Sequence, residues 1–222
     1  MKGSIGAVLF IALMILGCKG MKPKKGEDFR PAAPAASPDR GAQPVIVAFG
    51  DSLTAGAGVD PEGNYPSLLQ RKIDAKGYRY RVVNAGVSGE TSAQGLNRVQ
   101  SVIALRPAVV IVEFGGNDGL RGLPADATRK NLSEIVAQLE AAGARVVLAG
   151  MQIPPNYGPL YTHDFRGIFP AVADKYQIPL VPFFLEGVGG RPDLNQEDGI
   201  HPTSEGYARV VETLWKVLQP LL

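Results

Sequence analysis

The run Ala108-Val109-Val110-Ile111-Val112-Glu113-Phe114 constrains the fold of this chain more than any other stretch. Its β-branched residues do not alternate with polar ones. A strand of that kind is covered on both faces, as the inner strands of parallel sheets are. Four further apolar runs read as strands, at 45–49, 81–85, 145–149 and 179–184. Helical patterns separate them. One runs over 65–77 through Leu68, Leu69 and Ile73. A second covers 91–105, with Leu96, Val99, Val102 and Ile103 on one face and Pro107 to end it. A third covers 126–142, with Leu132, Ile135, Val136 and Leu139 in register and Gly143 as its stop. The spacing predicts a fourth helix over 161–177, kinked or broken at Pro170, and a last one over 201–218. Two prolines in 179–184 make that strand an edge. Strands alternating with helices in this way predict an α/β fold: a five-stranded parallel sheet with helices on both faces, a three-layer arrangement.

In open parallel sheets, ligands bind beyond the carboxyl ends of the strands. The polar clusters obey that rule. Asp51 and Ser52 follow the first strand, Ser88-Gly89-Glu90 the second, and Gly115-Gly116-Asn117-Asp118 the third. Gln152 and Asn156 follow the fourth, and Asp198 and His201 follow the fifth. A serine hydroxyl needs a base within hydrogen-bond reach, and the base needs an orienting group. The chain has two histidines. His201 stands three residues after Asp198 in Asp-Gly-Ile-His-Pro, so the carboxylate can reach Nδ1 and leave Nε2 for Ser52. His163, in Tyr-Thr-His-Asp-Phe, has no strand-end setting and reads as a surface or cleft-rim residue. Donors for an oxyanion are at hand in the N–H groups of Ser52 and Gly89 and the amide of Asn117. Taken singly, each motif also reads as a strand-end turn; the common edge is what joins them. The Gly-x-Ser-x-Gly elbow is absent around both Ser52 and Ser88, a phosphate-binding glycine loop is absent, and one cysteine with two separated histidines is too few for a typical zinc site. No metal is expected.

Together these residues resemble the SGNH, or GDSL-type, hydrolase superfamily. Its four blocks are met by Ser52 in Gly-Asp-Ser-Leu-Thr-Ala-Gly, Gly89 in Asn-Ala-Gly-Val-Ser-Gly-Glu-Thr, Asn117 in Gly-Gly-Asn-Asp-Gly-Leu-Arg-Gly, and Asp198/His201 in Asp-Gly-Ile-His-Pro. Gly-Gly-Asn-Asp-Gly-Leu-Arg-Gly and the stretch at 151–158 are similar to the thioesterase I/protease I/lysophospholipase L1 and arylesterase subgroup. The resemblance implies a flavodoxin-like sheet of order 2-1-3-4-5. It also implies a serine esterase with catalytic Ser52, Asp198 and His201 and an oxyanion hole of Ser52, Gly89 and Asn117, acting on small-molecule or lipid esters or thioesters without a cofactor. Asp51, Leu120, Leu123, Ile153, Pro155 and Tyr157 are candidate substrate contacts; for the apolar ones, packing within the loops is an equal alternative. A carbohydrate O-deacetylase of the same superfamily and a non-catalytic lipid- or glycan-binding lipoprotein are the competing readings.

The N-terminal part departs from the better-known soluble members. Lys2 precedes an apolar run from Ile5 to Leu16, too short to span a bilayer comfortably and suited to a signal peptide over 1–17. The only cysteine, Cys18, follows Ile15-Leu16-Gly17 and resembles a bacterial lipoprotein processing and lipidation site. An ordinary secretory signal with an incidental cysteine is the alternative. Residues 18–43 are rich in Lys, Pro and Ala and read as a tether, reaching roughly 80 Å if extended. The hydrolase domain is expected over 44–222. The expected location is that of an exported bacterial lipoprotein held to a membrane, with its domain in the periplasm or at the cell surface. Residues 1–43 hold seven of the 23 Lys/Arg but three of the 21 Asp/Glu, so the rest carries 16 bases and 18 acids. That balance gives no reason to expect nucleic acid as a partner. The domain is expected to be a monomer.

Overall fold

The computed structural model describes residues 43–222. The signal-peptide and Cys18 readings, and all of the tether but its last residue, lie outside the described residues. Strand β3 (Val109–Glu113) is buried at every position and lies mid-sheet. It pairs with β1 (Val45–Gly50) on one side and β4 (Arg145–Ala149) on the other. Strand β2 (Arg81–Gly86) lies outside β1, and β5 (Leu180–Val181) outside β4. All pairings are parallel and the order is 2-1-3-4-5.

Helices cover both sides of the sheet. Helix α2 (Tyr65–Ala75) packs against α7 (Ser204–Leu218); α3 (Ser92–Ile103), α5 (Ala125–Ala141) and α6 (Pro159–Tyr176) pack side by side. Apolar rings fill the space between layers: Phe49 and Phe114 meet edge to face at 4.9 Å, as do Tyr65 and Phe184 at 5.1 Å. No helix among the described residues is long and apolar enough to cross a membrane. The chain's end returns to the edge where the strands begin. The Tyr80 hydroxyl donates to the Leu222 carbonyl, and Arg145, the first residue of β4, donates to the Leu221 carbonyl. Arg81 N–H donates to the Pro44 carbonyl on that same edge.

Four details differ from the sequence reading. Helix α6 runs unbroken through Pro170. Pro170 and Arg166 are both exposed, so the carbonyl of Arg166, deprived of its N–H partner, faces water and the helix survives the loss. The fifth strand shrinks to two residues, because Pro179 and Pro182 flank it and supply no N–H. The last helix starts at Ser204, where Thr203 caps it by accepting from Gly206 N–H at 3.2 Å. His201 therefore belongs to the preceding loop. Two short helices were not anticipated: α1 (Ser52–Ala55) and α4 (Gly116–Leu120), each directly after an inner strand.

Candidate active site

Strand β1 ends on Gly50 because nothing larger fits. A Cβ there would come within 2.2 Å of Thr54 Oγ1 and 2.4 Å of the Glu113 carbonyl. The chain then turns at Asp51, whose carboxylate caps α1 by accepting from Leu53 N–H at 3.1 Å. Ser52 is thus the first residue of a capped turn at the carboxyl edge of the sheet.

The loop from Asn195 to Thr203 meets it there. An Asn195–Pro202 bridge closes this loop, with Gln196 N–H donating to the His201 carbonyl at 2.8 Å and Thr203 N–H to the Leu194 carbonyl at 2.9 Å. The Gln196 amide also donates to the Ala57 carbonyl at 2.8 Å, tying the loop to the segment after α1. His201 Nε2 stands 2.9 Å from Ser52 Oγ, and its Nδ1 2.6 Å from Asp198 Oδ2. Asp198 Oδ1 accepts the N–H groups of His201 (3.0 Å) and Ile200 (2.9 Å). The His201 N–H, then the His201 ring, draw the Asp198 carboxyl down to about 2, so it stays ionised at any working pH.

Asn117 lies in α4 and donates to Asp51 Oδ2 and to the Glu90 carbonyl, each at 3.0 Å. Gly89 has φ +82°, a backbone conformation that favours glycine. Among the described residues, neither the Ser52 N–H nor the Gly89 N–H finds a protein acceptor. The α4 turn is held from below by Asp118, which is buried and accepts from Ser92 N–H (2.8 Å), Ser92 Oγ (2.5 Å) and Thr128 Oγ1 (3.2 Å). Glu90 pairs with Arg98 at 2.6 Å.

Two buried acids back the Ser52 turn. Asp51, expected among the substrate contacts, is only 2% exposed and directs its carboxylate inward to Leu53 and Asn117. That expectation is corrected: the side chain caps a helix and accepts from Asn117 rather than facing the cleft. Glu113, fully buried at the end of β3, was not singled out from the sequence. Its Oε2 accepts from Thr54 Oγ1 at 2.7 Å and from Asp51 N–H at 3.3 Å; Thr54 Oγ1 also lies 3.1 Å from Tyr65 Oη. An acid in an otherwise apolar inner strand was the signal available. Burial pushes Asp51 up to about 6 and Glu113 well above the usual carboxyl range; Asp51 raises Glu113 further, and Asp118 adds a smaller upward push on Asp51.

The apolar candidates divide. Ile153 is buried, its Cγ2 filling the space a Cβ on Gly119 would need. It forms core beneath the site. Leu120, Leu123 and Tyr157 are half-buried and Pro155 is exposed. Tyr157 and Tyr161 donate to the carbonyls of Leu120 and Leu123, at 2.8 and 2.7 Å, and so brace the loop after α4. His163 is exposed and lines a groove of about 560 Å³ with Tyr161, Arg129 and Ile168, between α5 and α6. Among the described residues, no group of three or more His, Cys, Asp or Glu could hold a metal ion.

Residues 48–209 match the model of the GDSL-like lipase/acylhydrolase family. Over 179 residues, 80% of this chain, it is 46% identical to the esterase TesA of Pseudomonas aeruginosa, covering 89% of that protein. It is 39% identical to thioesterase 1/protease 1/lysophospholipase L1 of Escherichia coli strain K12, over 80% of this chain and 85% of that one. The crystal structure of TesA superposes with a TM-score of 0.78, at 46% identity, over 80% of this chain and 99% of the other. That of the psychrotrophic esterase EstA from Pseudoalteromonas sp., inhibited by monoethylphosphonate, gives 0.75 at 34% identity, over 79% and 97%. With its strand order, its serine-bearing turn and these relatives, the chain belongs to the GDSL-like lipase/acylhydrolase (SGNH hydrolase) family and is an ester hydrolase.

Proposed function

We propose that the protein cleaves carboxylic esters and thioesters through a Ser52–His201–Asp198 triad and an acyl-enzyme. The observation that carries this is the unbroken file from Ser52 Oγ to His201 Nε2 (2.9 Å) and from Nδ1 to Asp198 (2.6 Å). Ser52 Oγ bonds to the carbonyl carbon while its proton passes to Nε2. Asp198, ionised, holds the Nδ1–H tautomer and stabilises the imidazolium. The oxyanion takes the free N–H groups of Ser52 and Gly89, with Asn117 sharing one of its amide hydrogens. The bond to the leaving oxygen or sulfur breaks as His201 returns the proton. Water then repeats the cycle on the acyl-enzyme. Substrates carry acyl chains that lie along Leu120, Leu123 and Tyr157, and they include lysophospholipids and acyl thioesters, the classes named in the relatives. The lipidation motif at Cys18 supports an exported, membrane-held enzyme.

The test is hydrolysis of p-nitrophenyl esters of graded acyl length by wild type and Ser52→Ala. Turnover by wild type with a silent mutant is expected. Equal activity in both would sink the assignment.

A further inference from the structure

Arg121 stands at the mouth of this site with no carboxylate to neutralise it. It follows α4 directly, and its Nη2 donates to the Gly89 carbonyl at 2.8 Å. A Cβ on Gly89 would lie 4.0 Å from that same nitrogen. The guanidinium thus overhangs the residue whose N–H is free to meet an oxyanion. The carboxylates nearest in sequence to Arg121 and to Gly89 are committed elsewhere: Asp118 to Ser92 and Thr128, Asp126 to Arg129 at 2.7 Å, and Glu90 to Arg98 at 2.6 Å. No ion pair forms at Arg121 among the described residues. A guanidinium carries five N–H donors and stays charged at any working pH. One donor goes to Gly89; the side chain is exposed and the others face the cleft mouth or solvent.

We propose that Arg121 is a specificity-determining residue that binds a phosphate on the alcohol or thiol half of the substrate. This rests on the esterase reading above. The braced loop that offers Leu120 and Tyr157 to an acyl chain lies on the β3–β4 side of Ser52. Arg121 reaches the other way, over the loop that follows β2. The group it reads is therefore beyond the ester oxygen or thioester sulfur, in the leaving half. A phosphate offers two oxygens to the planar fork at once. Lysophospholipids and coenzyme A thioesters both carry phosphate there. The contact is exposed, so salt screens it.

The experiment uses the full chain and two substrate pairs that share a lauroyl group. Lauroyl lysophosphatidylglycerol is paired with monolauroylglycerol, and lauroyl-coenzyme A with the lauroyl thioester of N-acetylcysteamine. Within each pair, the ratio of kcat/KM for the phosphate-bearing member to that for the neutral member is read. Arg121→Gln is expected to lower this ratio roughly tenfold in at least one pair, chiefly through KM. Arg121→Lys should keep part of it. Added salt should lower the ratio in the wild type, a readout that needs no variant. The pair that responds identifies the phosphate source. A ratio unchanged in both pairs overturns the proposal and leaves Arg121 as a brace for the Gly89 carbonyl. Wild-type silence on all four substrates overturns the esterase reading and the proposal with it, a result distinct from an unchanged ratio.

Discussion

Asn117 holds two acceptors at 3.0 Å, and one of them is the carboxylate of Asp51, next to Ser52. The amide is therefore aimed before any substrate arrives, which is what a donor to a transient charge requires. Asn117→Ala is expected to lower kcat roughly a hundred- to a thousandfold, measured at saturating ester. Asp51 adds a pH dependence. Burial lifts its carboxyl to about 6, and His201 pulls it the other way through space. In the proposed cycle, ionised Asp51 would hold Asn117 and favour the imidazolium. Below that pH the enzyme loses the Asp51 charge. The acid limb of log(kcat/KM) should therefore be steeper in the wild type than in Asp51→Asn, by about one unit of slope. Equal slopes in the two enzymes would contradict this. Asp51 was legible in the sequence as a neighbour of Ser52 but not as an inward-facing cap. The direction of its side chain depends on α1, whose four residues are too few to leave a periodic pattern.

At the level of elements, the parallel sheet was readable because strands buried on both faces are written as continuous apolar runs, and β1, β3 and β4 are such runs. The four loop clusters that form the site were readable because each sits at a strand's end. What stayed hidden was the contact between strands. Gly50 and Glu113 are opposite each other in the β1–β3 register, and only that register brings the Glu113 carboxyl under Thr54 and Asp51. Glu113 has no counter-charge in contact, and Oε1 has no partner among the described residues. Asp51, Tyr65 and Tyr207 are the titratable groups facing it, none of them cationic. Burial therefore favours its neutral form. Glu113→Gln should match wild-type stability below pH 4.5, whereas Glu113→Ala should lose about 1–3 kcal/mol in urea unfolding there, since Thr54 and Asp51 N–H lose their acceptor. The sign with pH follows from a raised folded pKa. Its contribution is full below the ordinary carboxyl value of 4.5 and shrinks as pH rises towards the folded value. Thermal melts should accordingly show Glu113→Gln gaining on wild type as the buffer becomes more alkaline.

For the whole molecule, the uneven charge and the Cys18 motif lead to a prediction about location. Cys18→Ser should shift ester-hydrolysing activity from the membrane fraction of expressing cells to the soluble fraction, because a stable anchor needs the acyl chains. Activity that stays membrane-bound would remove the lipidation reading while leaving the site untouched. The strand direction has a practical corollary. Pro44 bonds to Arg81 where β1 and β2 begin, and Leu222 is held by Tyr80 on the same edge, whereas Ser52 lies about 20 Å away at the far end of β1. Both ends of the described chain therefore emerge side by side, behind the chemistry. A bead or sensor surface coupled through either end would present every molecule with its cleft outward. A short peptide joining the two ends would also give a circular chain, free to be reopened in another loop on that same rear edge, such as the one between α2 and β2.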